Sequence, residues 1–198
     1  MCANTTRVGK EKILDIAEGL FTEQGYKSVS IRDIAQACGV TNAALYYHFE
    51  NKEALFAEVL ENHVQRLNDH MRASATDVDD IRQQLIAMLT RYASLAGHRR
   101  SPMFLLRHKS DGLDKEKARQ HHSKLMQVIL TPIEDILGNA VDEGQLKPLP
   151  EGYSVASLLL GMLHGMAQHR RMCHQESLQS EDVEVVVDVF WNGLSIQR

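Results

Sequence analysis

The chain has 198 residues, of which 43% are hydrophobic and 6% aromatic, and its net charge is −4. This length allows one large domain or two small ones with a buried core. The acidic balance argues against a protein that binds nucleic acid through bulk positive charge. The sequence contains no run of 18 apolar residues, so it predicts no membrane span. The first residues also lack the apolar run of a secretory signal. Cys2, Cys38 and Cys173 are odd in number and widely spaced, so we expect a reducing, cytoplasmic location.

The first part of the chain carries clear signals for two helices. Apolar residues recur at spacings of three, four and seven between Lys10 and Gly25, which predicts an amphipathic helix that ends at the glycine. Ser30 is followed three residues later by Asp33, a variant of the capping box. A second, short helix is therefore predicted to begin after Ser30.

The next stretch predicts a helix-turn-helix. Gly39 supplies the positive φ that a tight turn requires, and Thr41 is placed to cap a third helix that ends near His48. Ala35 is small enough for the two helices to cross closely. Ile34, Val40 and Leu45 supply the apolar wedge between them. Such a unit places its second helix in the major groove of DNA, and we assign it to a domain of residues 7–50.

The same residues resemble the TetR (tetracycline repressor) family of transcriptional regulators. The resemblance covers roughly residues 10–60 and is most specific in the run Leu45 to Leu55, which is Leu-Tyr-Tyr-His-Phe-Glu-Asn-Lys-Glu-Ala-Leu. It implies a homodimeric repressor that binds a palindromic operator in double-stranded DNA and responds to a small molecule. It also implies a set of DNA-contacting residues: Ser30, Arg32, Thr41, Asn42, Tyr46, Tyr47, His48 and Lys52.

The predicted recognition helix, residues 41–48, gives several of these side chains a chemical role. Asn42 is suited to a bidentate contact with adenine, and Ala43 to contact with a thymine methyl group. Tyr46, Tyr47 and His48 are placed to bind backbone phosphates. Simpler interpretations stay open: Ser30 and Thr41 as helix caps only, one tyrosine as core, and His48 packed between helices.

Residues 51–198 are predicted to form a helical bundle for ligand binding and dimerisation, which gives an all-α protein of about nine helices. The expected helices span about 52–71, 78–95, 102–108, 118–143, 153–172 and 181–194. Pro132 is expected to kink or split the fourth of these. The last segment, 181–194, is rich in β-branched residues, so a strand is the alternative interpretation for it.

The two C-terminal helices carry more apolar surface than one bundle face needs. In the resembled family, such helices form the dimer interface, and aromatic residues are common anchors of interfaces. The residues assigned to the interface are Leu158, Gly161, Met162, Gly165, Val187, Phe190 and Trp191. The alternative is that they fill the core of one protomer.

A small hydrophobic effector is expected to occupy the bundle and shift the population of DNA-binding states. The helix that begins at residue 52 links the two domains and is expected to transmit this change. Candidate lining residues, chosen by periodicity, are Met88, Tyr92, Met103, Phe104, Met126, Met162, His164 and Met166. Ordinary core packing is the alternative for the methionines, and core or interface packing for His164. No cofactor is expected. A metal sensor built from the many histidines is a weaker alternative, because metal-ligand spacings are absent.

Two other functional classes compete with a DNA-binding regulator. An enzyme requires a nucleophile with its base, or a metal set, and the sequence contains no such motif, so we expect none. A helical adaptor that binds only protein leaves the polar residues beside the apolar wedge unexplained. The effector, the operator and the regulated genes are not specified by the sequence.

Overall fold

The computed structural model describes residues 9–96, 114–173 and 178–195. Within these ranges the chain forms eight helices and no strand, which confirms the all-α class. The helices are α1 (Lys10–Gln24), α2 (Ile31–Cys38), α3 (Asn42–His48), α4 (Lys52–Ala75), α5 (Ile81–Ala96), α6 (Lys115–Asp142), α7 (Val155–Met172) and α8 (Ser180–Leu194). The helix expected over 102–108 lies outside the described residues.

The helix boundaries near the N-terminus follow the local signals in the sequence. The Ser30 hydroxyl accepts a hydrogen bond from the Asp33 backbone N–H, and the Asp33 carboxylate accepts one from the Ser30 N–H, so the predicted capping box is confirmed. Gly39 ends α2 in the left-handed region, with φ 68° and ψ 29°. Asn51 caps α4, since its Oδ1 accepts a hydrogen bond from the Ala54 N–H at 2.8 Å.

The structure decides two points in the C-terminal half, and one of them confirms the prediction. Pro132 does not split its helix, because α6 continues from Lys115 to Asp142 with the proline inside. Buried apolar residues on both sides of Pro132, among them Ile129 and Ile133, hold the two halves in one helix despite the lost backbone hydrogen bond. The β-branched run near the C-terminus forms α8, which confirms the predicted helix over the alternative strand, because its 3–4 spacing buries one face.

The chain divides into two compact units. Among the described residues, unit 1 comprises 9–64 and 114–125, and unit 2 comprises 65–96, 126–173 and 178–195. The division falls inside α4 and inside α6, whereas the domain boundary proposed from the sequence lies at residues 50 and 51 and stays a prediction.

Unit 1 is held together by an apolar core beneath the first four helices. α2 packs against both α1 and α3. Phe21, Tyr26 and Phe56 form an aromatic cluster, with ring centroids 5.0 Å apart for Phe21 and Phe56 and 4.9 Å apart for Tyr26 and Phe56. The cluster joins α1, the loop after it and α4, so it fixes where α4 begins.

In unit 2, α8 packs against both α5 and α7. Its buried stripe contains Val183, Val186, Val187 and Phe190. Arg170 and the largely buried Asp182 form an ion pair of 2.5 Å between α7 and the first turn of α8. None of the helices formed by the described residues is both long and apolar enough to cross a membrane.

Candidate DNA-contacting surface

The short helix α3 has one buried and one exposed side. Leu45 is fully buried and Phe49 is 2% exposed, and these two side chains seat the helix on unit 1. On the other side Tyr46 is 55% exposed and Tyr47 is 73% exposed. Asn42 and Ala43 are also exposed. The interpretation that one tyrosine belongs to the core is therefore wrong, and both phenol groups are accessible to a partner.

The start of α3 is fixed by a side-chain cap. Thr41 Oγ1 accepts a hydrogen bond from the Ala44 N–H at 3.2 Å. The cap satisfies one of the unpaired amides of the first turn, which holds the N-terminal end of the helix in place. His48 at the other end is half-buried, and its ring centroid lies 5.0 Å from that of Tyr47 in an edge-on arrangement.

Ser30 and Arg32 mark the start of α2. Both residues are exposed. The Ser30 hydroxyl donates to Asp33 Oδ2 at 2.6 Å, and its backbone N–H donates to the same atom at 2.8 Å. These two hydrogen bonds lower the pKa of Asp33 below 3.8. The Ser30 side chain is therefore engaged as a cap, while Arg32 extends from the first turn toward solvent.

Lys52, which we expected to contact DNA, is engaged inside unit 1. Its Nζ donates hydrogen bonds to the carbonyl oxygens of Tyr26 and Val29, at 2.8 and 3.0 Å. The same atom lies 4.2 Å from the centre of the Tyr26 ring. Partial burial lowers the pKa of this ammonium group below 10.5. The loop between α1 and α2 is thereby fastened to the first turn of α4, a role that sequence reasoning missed.

The interface assigned to α8 needs a correction. Val187 is fully buried, Phe190 is 7% exposed and Trp191 is 9% exposed within a single chain, so these side chains belong to the core of unit 2. The exposed apolar residues of the helix are Val185 and Val189, at 53% and 61%. Helical spacing had identified the apolar stripe but not the direction in which it faces.

The residues assigned to α7 are exposed, as an interface requires. Leu158 is 49% exposed, Met162 is 37% exposed, and Gly161 and Gly165 lie beside them. A Cβ atom added to either glycine has no heavy atom within 4 Å. The sequence did not point to Met172, which is 72% exposed at the end of the same helix.

The candidate effector residues fall into different environments. Met88 and Tyr92 are buried, at 2% each, whereas Met126 and Met166 are half-buried. The Tyr92 hydroxyl lies 2.8 Å from Nε2 of the exposed His164. His164 is therefore not a core histidine. Met103 and Phe104 lie outside the described residues.

The described part of the chain contains no group of three or more metal-ligating side chains. One pair at the end of α7 has a spacing that sequence reasoning overlooked. Cys173 Sγ lies 3.8 Å from His169 Nε2, one helical turn earlier.

Comparison with known proteins identifies the N-terminal segment. Residues 13–59 match the family described as "Bacterial regulatory proteins, tetR family". KstR2 of Rhodococcus jostii, a transcriptional repressor, is 36% identical over 81 residues, which are 41% of this chain and only 40% of KstR2. TtgR of Pseudomonas putida, a transcriptional regulator, is 25% identical over 195 residues, which are 96% of this chain and 91% of TtgR.

Solved structures show the same fold. FadR of Bacillus subtilis, in complex with stearoyl-CoA, superposes with a TM-score of 0.73 over 94% of this chain and 100% of that chain, at 19% identity. The matched segment of the sequence includes the capped α2, the Gly39 turn and α3. The segment that forms the helix-turn-helix, residues 13–59, therefore matches the TetR family of bacterial regulatory proteins.

Proposed function

We propose that the protein is a transcriptional repressor that binds a palindromic DNA operator as a homodimer. The observation that carries this proposal is the two-sided helix α3. Leu45 and Phe49 seat it in the core, while Asn42, Tyr46 and Tyr47 are exposed on its outer side. Exposed aromatic and amide side chains on a capped helix suit contacts with phosphates and base edges in the major groove.

DNA binding is tested by fluorescence anisotropy with a duplex from the region upstream of the chain's own gene. Arg32→Ala and Tyr46→Ala are each expected to weaken binding about tenfold or more while leaving the thermal unfolding midpoint unchanged, since both side chains are exposed. Tyr153→Ala, an equally exposed tyrosine in unit 2, is the matched control. Equal loss of stability and binding in the α3 variant would assign Tyr46 to the fold and contradict the proposal.

Homodimerisation is supported by the exposed apolar face of α7. Leu158, Met162 and Met172 follow helical spacing along it, and the two glycines leave room for a second helix to approach closely. A two-fold dimer buries such a face against its own copy and supplies the second recognition helix for a palindrome. Val185 and Val189 on α8 offer further exposed apolar surface.

The oligomeric state is measured by sedimentation velocity at micromolar concentration. We expect a dimer for the wild-type protein and a monomer for the double variant Leu158→Glu with Met162→Glu, because an interface does not tolerate buried unpaired carboxylates. Tyr153→Glu, which adds a charge outside the α7 face, should stay dimeric. A monomeric wild-type protein would rule out this interface.

The effector is proposed to be a small, mainly apolar molecule bound in unit 2. Methionine suits adaptable apolar sites. Met88 lies one turn before Tyr92 on α5, and the contact between Tyr92 and His164 provides a polar group beside it. The acyl chain of stearoyl-CoA in the FadR complex is an apolar ligand group, which supports an apolar ligand for this fold. To release DNA, the ligand must favour the weakly binding state by several kcal/mol, about 5.5 for a shift from 1:99 to 99:1.

Stearoyl-CoA, stearate and unrelated apolar molecules serve as probes in a thermal-shift screen, and each hit is then tested for release of labelled operator. A hit is expected to raise the unfolding midpoint, and to lose potency in Tyr92→Phe, which keeps the ring and removes the hydroxyl. Unchanged potency in that variant would remove the Tyr92–His164 pair from the proposed site.

A further inference from the structure

The end of α7 brings an imidazole and a thiol together on the surface of unit 2. Cys173 Sγ lies 3.8 Å from His169 Nε2, and both side chains are exposed. The two residues are four apart, so helical geometry places them one above the other on one face. Neither the proposed DNA-contacting surface nor the proposed effector site uses this pair.

The separation of the two atoms fits the ligands of a tetrahedral zinc ion. Zinc lies about 2.3 Å from a cysteine sulfur and about 2.0–2.1 Å from a histidine nitrogen, which at the tetrahedral angle separates the two ligand atoms by roughly 3.5–3.6 Å. The observed distance of 3.8 Å is slightly longer, and small rotations of the two side chains close the difference. Thiolate and imidazole are also ligand types that zinc prefers.

The charged neighbours of the pair do not oppose a cation. Arg170 forms an ion pair of 2.5 Å with Asp182, which offsets its positive charge. Arg171 lies two residues from each ligand and so projects from the other side of the helix. There its guanidinium group donates a hydrogen bond to Gln168 Oε1 at 3.0 Å. A divalent cation therefore approaches a face whose neighbouring positive charges are paired or directed away.

Two ligands do not close a zinc site. A structural zinc ion takes four protein ligands, and the described residues contain no group of three or more metal-ligating side chains. The other two ligands of a closed site must therefore come from outside the described part of this chain. The position of the pair on α7 indicates a second copy of the chain as their source.

The pair lies on the exposed seam of α7, which comprises Leu158, Met162, Gly165, His169 and Met172. All five residues are exposed, and they follow one another at intervals of four, three, four and three residues. This is the spacing of a helical surface that meets a second helix along its length. The α7 face of the proposed dimer therefore continues to the metal-ligating pair at the end of the helix.

We propose that His169 and Cys173 of each protomer bind one shared zinc ion, so that two thiolates and two imidazoles hold the metal between the ends of the two α7 helices. The inference rests on the proposed homodimer and does not depend on DNA binding. A two-fold axis presents the same residues from both protomers. Two half-sites that meet across this axis supply four ligands without any further side chain.

Such a site makes the dimer depend on the metal. A ligand that binds only the dimer stabilises it by mass action, and each thiol releases its proton to solvent when its sulfur becomes a zinc ligand. The metal should therefore lower the protein concentration at which dimers form. Since a palindromic operator needs both recognition helices, the supply of metal then regulates operator binding through the oligomeric state.

Metal binding is measured on the reduced, full-length protein without an affinity tag, with Co²⁺ as a spectroscopic probe and Zn²⁺ as its competitor. Tetrahedral Co²⁺ absorbs visible light strongly, and a thiolate ligand adds a charge-transfer band in the near ultraviolet. We expect both signals, saturation at one ion per dimer, and displacement by Zn²⁺. Because even a lost outer-shell partner costs about 10–100-fold in metal affinity, His169→Gln and Cys173→Ser should each weaken binding by at least about a hundredfold.

The controls remove the same residue types at other places. His70→Gln removes an exposed histidine of α4, and Cys38→Ala removes the buried cysteine of α2. Both variants should keep the cobalt signals and their stoichiometry, and circular dichroism checks that every variant retains its helices. A control that loses the signals as completely as Cys173→Ser, while keeping its helices, would assign the metal to another site and contradict the proposal.

Sedimentation velocity in ZnCl₂ and in EDTA measures the coupling between metal and dimer. For the wild-type protein, zinc should shift dimer formation to an at least about tenfold lower protein concentration, because the metal binds the dimer in preference to the monomer. Cys173→Ser should dimerise equally in both solutions. Zinc that has the same effect on Cys173→Ser as on the wild-type protein would show that the thiolate is not a ligand.

The outcomes separate this inference from the proposed function. If the wild-type protein stays monomeric at micromolar concentration both in zinc and in EDTA, the proposed dimer itself fails. If it forms a dimer that binds neither Co²⁺ nor Zn²⁺, or that binds one ion per chain, the shared site is refuted while the dimer stands. Zinc that dissociates the dimer would also overturn the proposal.

Discussion

Replacing Lys52 with methionine separates a structural role from a role in DNA binding. The ammonium group donates two hydrogen bonds, at 2.8 Å to the Tyr26 carbonyl and at 3.0 Å to the Val29 carbonyl. Methionine keeps most of the apolar stem but leaves both oxygens without this donor. Hydrogen bonds to charged groups contribute about 1.5–3 kcal/mol each, and the contact with the Tyr26 ring adds about 0.5–1 kcal/mol.

Part of this gain is offset by the desolvation that lowers the pKa of Lys52. We therefore expect Lys52→Met to lower the free energy of unfolding by about 2–4 kcal/mol. With an m-value of about 2 kcal/mol per molar urea, the unfolding midpoint should fall by about 1–2 M. Both proteins must be compared at equal concentration, because dimerisation shifts the apparent stability.

The control is Lys27→Met, the same substitution at an exposed position of the same loop, which should leave the free energy of unfolding within about 0.5 kcal/mol of the wild-type value. A Lys52→Met protein that unfolds at the wild-type urea concentration, yet binds operator as poorly as Arg32→Ala, would refute the structural role. In that case Lys52 would be a phosphate contact, as the family resemblance implies.

Two further predictions concern α2. Ala35→Leu should lower the free energy of unfolding by about 1–3 kcal/mol in urea titration, because the Ala35 side chain is 2% exposed where α2 packs on its neighbours. The control Ala37→Leu, on the exposed face of α2, should change this free energy little. Equal losses of stability in the two variants would contradict the close crossing of the helices. Ser30→Ala should raise the pKa of Asp33 back toward 3.8 in an NMR titration of the carboxyl carbon. Since the pKa of Asp33 is lower in the folded than in the unfolded protein, Asp33 contributes fully to stability above a pH of about 3.8. This contribution disappears as the pH falls through the folded pKa. If Ser30→Ala leaves the pKa of Asp33 unchanged, the hydrogen bonds to Ser30 do not cause the shift.

Local interactions explain why the N-terminal elements were predictable. A capping box depends on two residues three apart, and the turn at Gly39 depends on the conformational freedom of one residue. The inward direction of Leu45 follows from helical spacing over a single short helix. Each of these signals acts within a few residues of the chain.

Contacts between distant residues explain what was missed. Helical spacing identified the apolar stripe of α8, but only packing against α5 and α7 directs Val187 inward and leaves Val189 exposed. Sequence reasoning likewise placed Lys52 at a helix start, where phosphate and a backbone carbonyl are equally suitable partners for an ammonium group.

Composition and short-range spacing were enough to establish the helical class and the capped helix-turn-helix, because these properties are written directly in the chain. The packing of the helices selected the partner of each side chain. It joined Lys117 to Glu53 across 64 positions, and Lys52 to the carbonyl of Tyr26 across 26. Such pairings depend on which helix surfaces meet, a property that no local pattern contains.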